Sequence, residues 1–209
     1  MKIVVVGATG MVGSRVVSEA AGRGHDLLAV QRSAPAAALP AAVTVVQGDA
    51  NDPGFMSALF AGADAVVAAT RPRPGDESST GATTTALLDA AAKSGTRVLV
   101  VGGAAPLRVP GTGRLVLDSP EYVPAALRPI AGASAAQLEA CREHPADWVY
   151  LSPPAVLEPG VRTAQYRRGT TTLLVGADGT SRVSAEDFAV AVLDELEVPC
   201  GNRHITVGY

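Results

Sequence analysis

Seven residues near the start of the chain, Gly7-Ala8-Thr9-Gly10-Met11-Val12-Gly13, carry the clearest chemical signal. They follow the apolar run Ile3-Val4-Val5-Val6 and lead into Val12, Val16, Val17 and Ala20 at helical spacing. A glycine-rich turn between a strand and a helix can bring backbone N–H groups and the positive helix end against a pyrophosphate. Glycine also serves ordinary tight turns, but a strand before and a helix after favour dinucleotide binding. A second group bears on which dinucleotide. An NAD-binding unit places a carboxylate near the end of its second strand, on the ribose 2′-hydroxyl. Here the run Asp26-Leu27-Leu28-Ala29-Val30-Gln31 is followed by Arg32 and Ser33. A guanidinium and a hydroxyl bind the 2′-phosphate that a carboxylate would repel, so NADP(H) is the expected cofactor. The plain alternative for Arg32 is a solvated residue at a strand end. Arg15, in the first turn after the glycines, could add a second cation from the side.

Further along, Asp49 in Gln47-Gly48-Asp49-Ala50 could accept a hydrogen bond from an adenine amino group, or simply cap a turn. Ala69-Thr70-Arg71-Pro72-Arg73-Pro74 closes the fourth apolar run, at the kind of strand end where open α/β sheets bind ligands. Small residues there admit a cofactor, and Thr70 and Arg71 offer polar contacts.

Positioning these residues takes alternating strands and helices. Strands are expected at Ile3–Val6, Asp26–Gln31, Val43–Val46, Asp64–Ala68, Arg97–Val101, Trp148–Leu151 and His204–Val207. Helices fall between them. Asp52-Pro53 reads as an N-cap with proline at the first helical position, and Ser184-Ala185-Glu186-Asp187 as a capping box. The spacings suit right-handed crossovers in a parallel sheet. The implied architecture is α/β: a doubly wound, mostly parallel Rossmann sheet over residues 1–209, with a small C-terminal substrate lobe drawn mainly from 105–133 and 156–183. Within the lobe, short strands are expected at Leu115–Leu117, Tyr166–Arg168 and Thr172–Val175; between its two parts Ala135–Glu143 is expected to be helical.

Composition limits the partners. The chain has 209 residues, 47% of them hydrophobic, and a formal net charge of −3. That balance gives no electrostatic reason to bind nucleic acid, and no apolar run approaches the ~18 residues of a membrane span. Cys141 and Cys200 match no metal or redox spacing, and no paired metal ligands occur. A cytoplasmic protein acting on a small molecule is expected, with its oligomeric state open.

The segments GATGMVG, VQGDAND, RVLVVGGA and the tail from YLSPPAVLEPGVRTAQYRRGTTTLLV to ITVGY together resemble the atypical short-chain dehydrogenase/reductase group. The nearest branch is the NmrA-like proteins labelled NADH-flavin reductases, which also takes in biliverdin-reductase-B-like enzymes. The resemblance implies that Gly7, Thr9, Gly10, Met11 and Val12 line the pyrophosphate. It implies Arg32 and Ser33 on the 2′-phosphate, and Asp49 with Ala50 flanking the adenine. Ala69, Thr70 and Arg71 would meet the ribose and pyrophosphate from the other side. Gly102, Gly103, Pro153, Pro154, Ala155 and Val156 would lie along the nicotinamide.

The wider superfamily pairs a catalytic Tyr with a Lys four residues on, the Lys lowering the phenol's pKa. No Tyr here is followed by Lys at that spacing; the only lysines are Lys2 and Lys93. The helix where the pair would fall reads Ala133-Ser134-Ala135-Ala136-Gln137. Hydride transfer to a stacked flavin, quinone or similar conjugated acceptor needs mainly positioning, and solvent can supply the proton. Tyr122, Tyr166 and Arg162 are the candidate catalytic side chains. Two other activities fit the same residues: an epimerase, dehydratase or tailoring oxidoreductase, and a nucleotide sensor without turnover.

Overall fold

The structure, a computed structural model, describes residues 1–32 and 39–209. The chain runs β1 (Lys2–Val6), α1 (Met11–Gly22), β2 (Asp26–Gln31), β3 (Thr44–Gln47), α2 (Pro53–Phe60), β4 (Ala65–Ala68), α3 (Thr80–Ser94), β5 (Arg97–Val101) and α4 (Arg128–Glu143). It continues through β6 (Trp148–Ser152), β7 (Val156–Glu158), β8 (Arg167–Gly169), β9 (Arg182–Ser184), α5 (Ala185–Glu197) and β10 (His204–Gly208). One sheet has the order β3-β2-β1-β4-β5-β6-β10-β8. All its neighbours pair in parallel except β8, which runs antiparallel to β10 at the edge. This is a Rossmann sheet.

The two-residue period of a strand makes it two-faced. Ile3 and Val5 pack with Val16, Val17, Phe188 and Val192 beneath α1 and α5. Val4 and Val6 face the other way, against Met56, Phe60, Leu87 and Leu138 under α2, α3 and α4. Both clusters are sealed from water, which accounts for the near-continuous apolar runs. The order reverses between β1 and β4. A crevice therefore opens beyond their carboxyl ends, between the glycine turn and Ala69-Thr70-Arg71.

Several elements differ from the sequence expectation. α4 starts at Arg128 rather than Ala135, because Pro129 sits in its first turn, where a missing N–H costs nothing. Leu115–Leu117 is not a strand. Leu115 makes a single bridge to Arg108, and Val116–Asp118 is one tight helical turn. Thr172–Val175 is not a strand either. Thr172 makes one bridge to Arg108, while Leu173 plugs a third small core of Leu107, Val109, Val116 and Val123. β7 and β9, unforeseen in the sequence, pair with each other outside the main sheet. Among the described residues, no helix is long and apolar enough to cross a membrane.

Candidate active site

Two cavities meet in the crevice. The first, of about 320 Å³, is lined by Gly7, Thr9, Gly10, Gln31, Arg32, Asp49, Ala50, Arg73 and Thr83, among others. The second, of about 340 Å³, is lined by Met11, Val12, Gly102, Gly103, Tyr122, Ile130, Gln137, Ala155 and Leu157, among others. Gly10, Ala69, Thr70, Arg71, Pro72 and Thr80 line both, so the cavities form one cleft divided at a shared wall.

The three glycines of the turn do different work. Gly7 has φ +85°, and a Cβ there would sit 2.4 Å from the Ala69 carbonyl oxygen. A Cβ on Gly13 would fall 2.1 Å from the Gly7 carbonyl oxygen. Both are required by the packing of the chain against itself. Gly10 is not: its φ is −73°, and a Cβ there meets nothing closer than 3.4 Å. Its open side faces the cleft. No side chain caps α1 and no acidic residue lies in its first turn. The amides of Met11, Val12 and Gly13 therefore have no helical acceptor, and the positive helix end meets no internal carboxylate. Gln31 adds a buried Oε1 without a partner among the described residues, beside the first cavity. An open glycine, free first-turn amides and an orphaned acceptor fit a dinucleotide laid across the turn.

Most residues expected at the cofactor reach the cleft. Gly7, Thr9, Gly10, Arg32, Asp49, Ala50, Ala69, Thr70 and Arg71 line the first cavity; Met11, Val12, Gly102, Gly103 and Ala155 line the second. Asp49 is partly engaged in its own turn, its Oδ1 accepting from the N–H of Asn51 at 2.9 Å. Ser33 lies outside the described residues. Pro153 and Pro154 do not line the cleft: they are buried behind Ala155 where β6 ends. Val156 starts β7 and also lies off the wall. Arg15 turns away as well. Its Nε bonds Glu186 at 2.6 Å and its Nη1 bonds the Met11 carbonyl, so it serves the α1–α5 contact.

Of the three candidate catalytic side chains, the structure brings only Tyr122 to the cleft. Tyr166 donates to Asp194 on α5, and burial together with that bond pushes its phenol up to about 12. Arg162 grips Glu19 of α1 with two bonds of 2.7 and 2.8 Å. Both belong to residues 159–166, a strap lying over α1 and α5. Asp187 holds the strap by accepting from the N–H groups of Thr163 and Ala164, each at 2.7 Å. Burial would raise the Asp187 carboxyl, but bonds from Thr163, Tyr209 and these amides outweigh it and keep it below the usual range. Ser184 does cap α5, accepting from the Asp187 N–H at 3.0 Å. The reciprocal half of a capping box is absent, since the Asp187 carboxylate serves the strap. Of residues 156–183, Leu157 alone among the described residues lines the second cavity, whereas much of 104–137 does.

The sequence reading missed Thr80 and Thr83, on the first turns of α3, and Gln137 on α4. The threonines carried a signal in their position, on the helix directly after the Arg71–Pro74 strand end. Gln137 was visible only as the residue standing where the Tyr/Lys pair was missing.

A strand–glycine turn–helix unit at the point where strand order reverses defines a dinucleotide-binding α/β protein. The sequence profile of the NAD(P)H-binding family matches residues 7–196, and the chain belongs to that family. It is 36% identical over 206 residues to YwnB of Bacillus subtilis (strain 168), an uncharacterised protein, covering 95% of this chain and 93% of that one. A structure of a candidate NADH-flavin reductase from Streptococcus pneumoniae TIGR4 aligns with a TM-score of 0.90 at 28% identity, covering 100% of this chain and 99% of that one. One of a candidate epimerase from Bacteroides thetaiotaomicron aligns with a TM-score of 0.89 at 36% identity, covering 100% and 96%.

Proposed function

We propose that this chain is an NADPH-dependent reductase that passes hydride to a flavin, quinone or related conjugated small molecule seated in the second cavity. The observation that carries the reading is the make-up of that cavity. It adjoins the glycine turn, its walls are mostly apolar, and its titratable side chains among the described residues are Arg71 and Tyr122. Such walls suit a flat, uncharged ring held by stacking and by exclusion of water.

Bound NADPH would supply the hydride from nicotinamide C4. The first-turn amides of α1 would hold the pyrophosphate, and Gly10 would let it approach. Arg32 would take the 2′-phosphate, with Gln31 standing where an NAD-binding unit carries its carboxylate. Arg71, on the shared wall, would sit beside the phosphates. Gly102, Gly103 and Ala155 would leave room for the nicotinamide. Two electrons and one proton reach the acceptor as hydride; the second proton comes from solvent or from Tyr122. The free thiols Cys141 and Cys200 suit the cytoplasm, where they stay reduced. We take residues 1–209 as one functional unit with a small-molecule partner.

An epimerase reading draws on the Bacteroides neighbour. It needs an acid and a base flanking the substrate, and the second cavity offers one phenol and no carboxylate, lysine or histidine among its described walls. The discriminating experiment follows loss of nicotinamide absorbance with FMN, lumiflavin and menadione. The reductase consumes NADPH in proportion to acceptor. Tight NADPH binding without net consumption would overturn it in favour of internal recycling or sensing.

A further inference from the structure

We propose that Gln137 sets acceptor specificity in the second cavity, its amide oxygen receiving a hydrogen bond from an N–H or O–H on the acceptor's conjugated ring. The inference rests on the reductase reading above and narrows it to donor-bearing rings, such as the imide of an isoalloxazine, over quinones that carry only carbonyls.

Tyr150 of β6 is fully buried, and its phenol meets three groups. It lies 2.9 Å from the Ser134 carbonyl oxygen, 3.2 Å from the Gly103 nitrogen and 3.2 Å from the Gln137 amide at Oε1. A phenol has one proton and two lone pairs. The Gly103 N–H fills one lone pair. If the proton goes to either Ser134 or Gln137 Oε1, the other oxygen is left facing a bare lone pair. Turning the Gln137 carboxamide end for end, which its nearly symmetric shape allows, removes the conflict. Tyr150 then donates to Ser134 and accepts from Gly103 and from Gln137 Nε2. Every bonding capacity of the phenol is filled, and Gln137 Oε1 becomes the end left for the cavity.

The amide is well fixed. Gln137 is only 4% exposed, and the cavity-side end has no bonding partner among the described residues. Tyr150 cannot swing aside, since its ring packs so closely on Gly102 that a Cβ there would lie 2.1 Å from Cζ. Beyond the shared wall, the described polar side chains of the cavity are Tyr122, Ser134 and Gln137. Ser134 Oγ gives its proton back to the Ala131 carbonyl at 2.8 Å, leaving lone pairs on its free side. The α4 wall therefore offers acceptors. A ring with an N–H satisfies Gln137, whereas a carbonyl there sets oxygen against oxygen in a mostly apolar site.

The test compares binding of lumiflavin and 3-methyllumiflavin to the NADP⁺-loaded protein, by quenching of flavin fluorescence. No turnover is needed. We expect lumiflavin to bind about tenfold tighter, the cost of leaving a buried acceptor unpaired. In Gln137→Leu the gap should close to within about twofold. In Tyr150→Phe, which frees the amide to rotate, the gap should narrow without closing. Equal affinities in the native protein, a gap undiminished in Gln137→Leu, or no lumiflavin binding would each overturn the inference. Should Gln137→Leu fail to fold, the native gap and its narrowing in Tyr150→Phe decide the matter. A gap without NADPH oxidation would sustain the Gln137 assignment and sink the reductase. Oxidation by menadione with no lumiflavin binding would do the reverse.

Discussion

The first cavity gathers Arg32, Arg71 and Arg73 around the ends of β1, β2 and β4; the second surrounds Tyr122 and Gln137 with apolar side chains drawn largely from the excursion after β5 and from α4. The first is built of strand ends and backbone amides, fixed by the sheet, and its charge suits phosphates. The second adds to the glycine turn and the end of β5 a wall of side chains from residues 104–137, and its lining suits a flat ring. On the proposed function, binding a nucleotide and choosing an acceptor would fall largely to different parts of the chain. The contrast implies that they can be broken separately.

The strongest break should come at Gly10. A Cβ there meets nothing closer than 3.4 Å and the position lines the cleft, so Gly10→Val should stay folded, giving up about 1 kcal/mol of N-cap preference, while losing NADPH and NADH affinity by roughly 100-fold or more. Calorimetry and a melt check both halves. Gly13→Val, pressed on the Gly7 carbonyl, should instead fail to fold stably. Next is Arg32→Ala. Removing one charge-assisted contact to a phosphate should weaken NADPH binding roughly 10- to 100-fold and leave NADH binding nearly unchanged. Equal losses for both nucleotides would remove Arg32 from the 2′-phosphate.

The frame behind the second cavity should respond to acid. His204 on β10 bonds Ser152 through Nε2, and its buried Nδ1 has no partner among the described residues. Burial, and to a lesser degree Arg142, lowers its pKa from 6.5 to about 4. Folding therefore favours the neutral ring. The unfolded chain takes up the proton first, so stability should fall as pH drops from 6.5 towards 4, by roughly 2 kcal/mol once the ring's partial exposure is discounted from the ~3 kcal/mol of the full shift. The depressed carboxyls of Glu19, Glu186 and Asp187 act below their ordinary 4.5 and 3.8, so the upper part of the window belongs to His204. Denaturant midpoints across this range, flattened in His204→Phe, would verify the assignment. The smallest effect is expected at Tyr166→Phe. It should cost about 1 kcal/mol of stability through the lost bond to Asp194 and leave kcat within about twofold. A large fall in kcat would return Tyr166 to the chemistry.

These contrasts also explain what could be read from sequence. The glycine turn, the end of β2 and the Ala69–Arg71 corner were legible because their demands are local: a positive φ, a close backbone approach, a small residue at a strand end. The second cavity was harder. Pro129 and Gly132 look like helix breakers, yet Pro129 sits in the first turn of α4, where its missing N–H costs nothing, and the helix runs on through Gly132, so the helix that supplies Gln137 starts earlier than the pattern suggests. Tyr166 and Arg162 looked available because their partners, Asp194 and Glu19, lie 28 and 143 residues away in sequence. Pairings at that separation leave no periodic trace.

The measurement that bears most directly on the account is a calorimetric titration of the native protein with NADPH and with NADH, followed by addition of lumiflavin to the NADPH-loaded sample. NADPH should bind at least roughly tenfold tighter than NADH, with acceptor-dependent loss of nicotinamide absorbance. Absence of heat for either nucleotide, or tight binding with no oxidation by any conjugated acceptor, would contradict it.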